Sequence, residues 1–199
     1  MIRLKQILKE FPETSSAADI TEKELKTAKI VVNGLINRGF SRIGAVGLAG
    51  NISVESRFKT SATDGNKAEG LCQWQAARLK ALKAFADAKG KGYTSLSLQL
   101  DFMKYELLDS YYTNDKYIPG VPKSLIFIDH GDEIGYSKKK PRRDVESVIT
   151  ETKNYINSIT SNVSETTKNL RKNVFRPTAS LAHEDRRVAN ALKINDYTK

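Results

Sequence analysis

One predicted helix carries three glycines, which limits how its neighbours can pack. Gly44, Gly47 and Gly50 fall within a segment that Ser41 is placed to cap and that runs to Glu55. Each glycine inside a helix costs about 1 kcal/mol relative to alanine. Three of them indicate that another backbone, or a substrate, approaches this helix closely.

The same helix ends in a carboxylate. Ala45, Leu48 and Ile52 precede Glu55 at helical spacing, so the carboxylate continues a stripe that should face the core. Partial burial and the negative end of the helix dipole both favour the protonated carboxyl group. A protonated carboxyl group can act as a general acid. The alternative is a glutamate that simply reaches solvent at a helix end.

Two short motifs follow in the chain. The run E-S-R-F begins at Glu55, and G-L-C-Q-W begins at Gly70 after a polar turn. With G-L-A-G-N from Gly47 and Q-L-D-F from Gln99, this pattern resembles the lysozyme-like superfamily, and within it the bacteriophage tail lysozyme family. The resemblance covers residues 35–108. It resumes at Phe175 to Pro177 and at Arg186 to Ala189, which resemble the closing aromatic-Arg/Pro motif and Arg-rich helix of that family.

The resemblance implies a fold and a setting. We expect an α+β, mainly α, lysozyme-like helical domain with a small β-hairpin or turn element beside the cleft, plus a long C-terminal helix. The implied activity is virion-borne cleavage of peptidoglycan. The implied partners are peptidoglycan and another phage tail or baseplate hub protein, and the site of action is the bacterial cell wall or periplasm.

Glycosidic cleavage requires a proton donor and a group that stabilises or traps the oxocarbenium-like centre. Glu55 is the predicted donor. Asp64, in a polar Asp-Gly turn exposed to water, is the predicted second carboxylate. In that environment it would stay ionised while Glu55 is protonated. Asp64 could also be only a turn former. In that case the single-glutamate mechanism of a lytic transglycosylase is the alternative.

Four further residues are candidates for substrate binding: Ser56, Gln73, Trp74 and Tyr105. Gln73 occupies the G-L-x-Q position and could instead hold its loop in place through backbone hydrogen bonds. Trp74 and Tyr105 could be core residues rather than platforms for sugars. Glu106 is interpreted as structural, because it lies within a predicted helix.

Composition favours an anionic partner. Lys and Arg number 33 against 23 acidic residues, for a net charge of +10. The free carboxylates and anionic polymers of the bacterial wall fit this charge, and no zinc-finger spacing or RNA-binding signature indicates specific nucleic acid binding. A virion structural protein with a degenerate lysozyme fold is the non-enzymatic alternative.

Other function classes find little support. The single cysteine, Cys72, excludes an internal disulfide. One cysteine and two histidines do not indicate a metal site, and no cofactor is expected. No apolar run approaches the roughly 20 residues needed to cross a bilayer, so membrane insertion is not expected. The first ten residues lack a secretory core, which agrees with delivery inside a phage particle.

The chain divides into four predicted parts: an N-terminal arm (1–20), a catalytic core (21–112), an insertion with a basic loop from Lys138 to Arg143 (113–143), and C-terminal helices (144–199). Within the last part, a heptad-like seam from Val145 to Leu170 predicts a helix of roughly 39 Å. Two helices with a break near 160–164 are the alternative. The seam would pack along the domain or dock on the virion. A last helix should present Leu181, Val188 and Leu192 on one face.

Overall fold

The computed structural model describes residues 20–63, 65, 67–109, 145–157, 162–175 and 182–199. These residues form seven α-helices: α1 (Glu22–Ile36), α2 (Arg42–Glu55), α3 (Ala76–Ala88), α4 (Leu96–Lys104), α5 (Val145–Asn157), α6 (Val163–Leu170) and α7 (Ala182–Tyr197). Helices α4 and α6 each continue into a π-helical turn, at Tyr105–Asp109 and Arg171–Phe175. Within these ranges, no helix is both long and apolar enough to span a bilayer.

Helix α2 lies at the centre of the fold. It packs against α1, α5, α6 and α7. All residues from Gly44 to Ser53 are buried, so this helix has no solvent-facing side over most of its length. A helix that is surrounded in this way must be apolar or small on every face, which accounts for its composition.

The glycines of α2 are contact points for other backbones. A Cβ atom added to Gly44 would lie 2.2 Å from the carbonyl oxygen of Ile156 in α5. A Cβ atom at Gly50 would lie 2.8 Å from the carbonyl oxygen of Arg187 in α7. Both distances are shorter than real Cβ contacts. The prediction of close approach is confirmed, and the approaching groups are neighbouring helices.

Local capping signals place the helix starts. Thr21 and Glu24 form the predicted capping box at α1, with the Thr21 Oγ1 accepting from the Glu24 backbone N–H at 3.2 Å. Ser41 caps α2 by accepting from the Gly44 N–H at 3.0 Å, and it also donates to the carbonyl of Ile156. The cap therefore joins α2 to α5 across a long sequence separation.

The prediction of one long C-terminal helix is wrong. The seam is divided between α5 and α6, because Asn162 adopts an extended conformation and its side chain caps a new helix. The alternative with a break near 160–164 describes the structure. The seam positions with described side chains are all buried: Thr152, Ile156, Val163, Thr166 and Leu170. This part of the seam is core, not a docking face.

The predicted β-hairpin is not seen in the described residues. Thr63 and Glu69 form one isolated antiparallel bridge, and Glu69 and Trp74 form another. The mainly α class is confirmed. The arm up to residue 19, residues 113–143 with their basic loop, and Ile159 of the seam lie outside the described part of the chain.

Replacing Gly44 with alanine should destabilise the protein, because a rigid backbone carbonyl stands where the methyl group would go. We expect the free energy of unfolding to fall by about 1–3 kcal/mol, the usual cost of overpacking. Denaturant titration measures this loss. Gly92→Ala is the matched control, since nothing lies within 4 Å of a Cβ atom there. Equal stability of the two variants would contradict the packing described for α2.

Candidate active site

Glu55 is placed where the buried stripe of α2 reaches the surface. Ala45, Leu48 and Ile52 are fully buried, as the helical spacing predicts. Glu55 is the last residue of the helix, and 16% of its side chain is exposed. The carboxylate is thus held by a rigid element and remains accessible to a ligand.

Arg187 of α7 is the partner of Glu55. Its Nη2 donates to Glu55 Oε1 at 2.8 Å, and only 3% of the arginine side chain is exposed. Its Nη1 donates to Asn51 Oδ1 at 3.2 Å. Burial lowers the pKa of the Arg187 guanidinium, while the charge of Glu55 and the hydrogen bond to it act in the opposite direction. Because arginine remains charged in proteins, this is an ion pair held in a nearly dry site.

Asn51 completes the attachment of this pair to the fold. Its Nδ2 donates to the carbonyls of Gly47 at 2.9 Å and Thr167 at 3.0 Å. One fully buried amide therefore connects α2 with α6 and, through Arg187, with α7. A second polar contact between α2 and α7 runs from Asn190 Nδ2 to Ser53 Oγ at 2.9 Å. These bonds fix the guanidinium against the end of α2.

This arrangement corrects the expected surroundings of Glu55. The stripe predicted an apolar environment that would favour the protonated acid. In the structure the carboxyl group instead accepts a hydrogen bond from the buried guanidinium of Arg187.

The predicted face of α7 is also wrong. Leu192 is 44% exposed, and the buried positions are Arg187, Asn190, Ala191 and Ile194. These four follow helical spacing, but two are polar, so hydrophobicity alone does not reveal the face. The available signal was the Arg-rich motif from Arg186 to Ala189. It indicated the segment but not the role of Arg187.

The turn that follows Glu55 has an unusual backbone. Arg57 and Phe58 have φ values of 51° and 63°, the left-handed region that side chains rarely adopt. Phe58 is buried in the core, and Arg57 forms an ion pair with Glu24 of α1, with Nη2 donating to Oε2 at 3.1 Å. These two anchors hold the strained turn in place. Ser56 is buried and donates to the Ile52 carbonyl at 3.3 Å, so it offers no free surface to a substrate.

Gln73 holds a loop in shape. It has a φ of 49°, and its Nε2 donates to the carbonyls of Gly70 at 3.0 Å and Ala62 at 3.2 Å. The fully buried Gln99 acts on the same loop, accepting from the Leu71 N–H at 3.0 Å and donating to two carbonyls. These side-chain amides add to the backbone hydrogen bonds between Glu69 and Trp74 that close the loop. In this structure Gln73 matches the alternative interpretation, in which it organises the loop.

Trp74 and Tyr105 belong to the core. Trp74 is fully buried and packs edge-on against Phe102 with ring centroids 5.7 Å apart. Tyr105 is buried and packs against Phe85 and Phe102. Neither ring has the exposed face that stacking on a sugar requires, so the prediction that they bind substrate is corrected here.

Glu106 has a structural role, as interpreted from its helical placement. It accepts from Trp74 Nε1 at 3.0 Å and from Arg78 at 2.9 and 3.0 Å. Arg78 also donates to the Val174 carbonyl at 3.1 Å. The buried ion pair therefore ties α3 to both π-helical turns and uses the hydrogen-bonding capacity of the Trp74 indole.

Asp64, the predicted second carboxylate, lies outside the described residues. Its neighbour Thr63 is bridged to Glu69, whose carboxylate is ion-paired with Lys83 at 2.9 Å. Hydrogen bonds from Lys83 and then Tyr93 lower the pKa of Glu69.

Cys72 is buried, and desolvation raises the pKa of its thiol well above the usual value, so the thiol is suited to packing rather than to nucleophilic chemistry.

Comparison with known proteins assigns the chain to a family. Residues 26–198 match the family model described as Phage tail lysozyme, and this range contains both Glu55 and Arg187. The chain belongs to the phage tail lysozyme family. No curated protein and no solved structure matches it significantly. Membership indicates a lysozyme-like, peptidoglycan-degrading function and an association with the virion tail.

In this member of the phage tail lysozyme family, the contact of Glu24 with the turn after Glu55 should depend on pH. The hydrogen bond from Arg57 is the main cause that lowers the pKa of Glu24 to about 2 from 4.5. A folded-state pKa below the unfolded value contributes stability above pH 4.5, which is lost as the pH falls toward 2. Glu24→Gln should therefore lower the free energy of unfolding by about 1 kcal/mol at pH 7.

Denaturant titrations of wild type and Glu24→Gln between pH 7 and pH 2 would test this, and the difference between them should vanish at the acid end. Glu22→Gln is the control, because the Glu22 side chain is 76% exposed and its ion pair with Lys26 lies on the surface. A difference between wild type and Glu24→Gln that is independent of pH would show that the ion pair with Arg57 does not contribute.

Proposed function

We propose that this protein is a virion-associated muramidase. It would cleave the glycosidic bond between N-acetylmuramic acid and N-acetylglucosamine, so that the phage tail or its DNA can cross the cell wall at infection. The observation that carries the proposal is the carboxylate of Glu55, which ends the most buried helix and is held 2.8 Å from Arg187. Family membership supports the substrate class.

In this proposal Glu55 protonates the leaving glycosidic oxygen and is thereby ionised. Arg187 stabilises the resulting carboxylate and fixes its direction through bonds to Glu55 and Asn51. Asp64 is retained as the proposed base, nucleophile or electrostatic stabiliser. Fixing the donor on a helix and a buried arginine reduces the motion that would otherwise misplace the proton.

Glu55→Gln tests the assignment of the acid, because it keeps the shape of the side chain and removes the transferable proton. We expect the rate of peptidoglycan degradation to fall by at least about 10²-fold, the lower range for general acid catalysis. Turbidity loss of purified peptidoglycan measures the rate, and circular dichroism checks the fold. Glu22→Gln, at an exposed position of α1, is the matched control. Near-normal turnover by Glu55→Gln would refute the assignment.

The products identify the reaction. Mass spectrometry of the released muropeptides should show reducing-end N-acetylmuramic acid if water is the nucleophile. The 1,6-anhydro form would instead indicate a lytic transglycosylase, in which Glu55 serves alone as acid and then base. Wild-type protein that releases neither product would indicate a structural tail protein with a lysozyme fold.

A double-variant cycle tests whether Arg187 acts through Glu55. Arg187→Met should lower kcat by about tenfold or more, since a fixed partner of the reacting group is lost. Combining it with Glu55→Gln should cause little further loss, because residues that act as a unit are not additive. Arg187→Lys, which keeps the charge, should retain more activity than Arg187→Met. Additive losses in the double variant would show that the role of Arg187 is structural, and thermal denaturation of each variant separates folding from catalysis.

Binding to another phage tail or baseplate hub protein remains part of the proposal. The described seam positions are buried, so this contact would use a different surface, such as the N-terminal arm of residues 1–20. The net charge of +10 supports attraction to the anionic cell wall in which the enzyme would act.

A further inference from the structure

A charged groove of about 310 Å³ lies between α5, α6 and the first turn of α7. Its lining includes three cations, Lys168, Arg171 and Lys172, and two carboxylates, Glu165 and Glu184. The floor is formed in part by Asn169, whose amide is already bonded to Glu151 at 2.8 Å. The groove is thus polar and polyionic, unlike the apolar pocket that a hydrophobic ligand would need.

The charges of the groove are not balanced internally. Arg171 and Glu184 form an ion pair at 2.7 Å and neutralise each other. In the described part of the chain, neither Lys168 nor Lys172 forms an ion pair or a side-chain hydrogen bond, and the same holds for the carboxylate of Glu165. The groove therefore offers two free cations and one free anion along one side of α6 and its π-helical turn.

The groove adjoins the candidate active site. Glu184 precedes Arg187 by three positions on α7, so the two side chains are neighbours on the same face of the helix. Arg171 is also close enough to act on that site electrostatically, since after burial its charge further lowers the pKa of Arg187. A substrate held at Glu55 would have the groove beside it.

We propose that this groove binds the stem peptide of peptidoglycan. Lys168 and Lys172 pair with carboxylates of the peptide, and Glu165 pairs with the free amine of its diamino acid. The ligand chemistry matches the lining, because a stem peptide carries more carboxylates than amines. Four extended residues span roughly 14 Å, which exceeds the rise of about 4.5 Å along the helix between Glu184 of the groove and Arg187. The inference rests on the proposed muramidase function.

The test uses two forms of one substrate, both free of teichoic acid. One form is uncross-linked glycan strands that carry their stem peptides, and the other is the same strands after an amidase has removed the stem peptides. In the full-length protein, Lys168→Gln with Lys172→Gln should raise KM about fivefold on the peptide-bearing strands, since each half-exposed ion pair contributes modestly. On peptide-free strands, KM should match that of wild type. The value of kcat should be unchanged on both forms.

Lys80→Gln with Lys91→Gln is the control for lost charge. Both lysines are exposed on other parts of the surface, and this variant removes the same net charge. Glu165→Gln should weaken binding of strands with a free diamino-acid amine but not of strands in which that amine is acetylated. An equal rise in KM on both forms of the substrate, or the same effect from the control pair, would overturn the proposal.

A binding measurement separates this inference from the proposed catalysis. Free stem tetrapeptide, titrated by calorimetry into full-length protein with Glu55 intact, should bind about fivefold more weakly after the two groove lysines are replaced. If wild-type protein cleaves no glycan, the muramidase proposal fails, but this titration still shows whether the groove binds the stem peptide. No measurable binding of the tetrapeptide, or binding insensitive to the lysines, would overturn the peptide site.

Discussion

The contact of α2 with the backbones of α5 and α7 is the constraint on which the rest of the structure depends. Glycines at positions 44 and 50 bring the carbonyls of Ile156 and Arg187 within reach of the helix surface. A close approach of this kind leaves no room for water, so the polar groups between the helices must satisfy one another. Asn51, Ser53 and Asn190 do so, whereas Arg187 Nε and Thr166 Oγ1 are buried there without a hydrogen-bond partner in the described part of the chain.

The same packing creates the candidate site. Because α7 lies against the C-terminal half of α2, an arginine on its buried face meets the carboxylate at the end of α2. Burying an unpaired guanidinium would be strongly unfavourable, so Arg187 stabilises the fold only while Glu55 accepts its hydrogen bond. Structure and proposed chemistry thus share the same two residues. This sharing explains why the variants of the double cycle require separate measurements of stability and rate.

Three further interactions hold parts of the fold together. Glu24 anchors the strained turn that follows Glu55, and Gln99 shapes the loop that carries Gln73. The Arg78–Glu106 pair joins α3 to both π-helical turns. Each tie links segments distant in sequence. The charged groups of the groove beside α6 are not all paired in this way, since two of its lysines and one glutamate have no ion-pair partner within the described chain. The contrast supports a binding role for the groove and a structural role for the ties.

The sequence by itself determined what depends on neighbours within about one helical turn. The caps at Thr21 and Ser41, the stripe that ends at Glu55 and the close contacts at the glycines were all predictable, because propensity, periodicity and capping act locally. Only the tertiary structure decided the partner of Glu55, which lies 132 residues away in the chain. The burial of Trp74 and Tyr105 and the polar buried face of α7 were also decided at that level. Hydrophobic pattern cannot distinguish an aromatic platform from an aromatic core, nor a solvated arginine from a buried one, because the difference depends on which distant helix covers the residue.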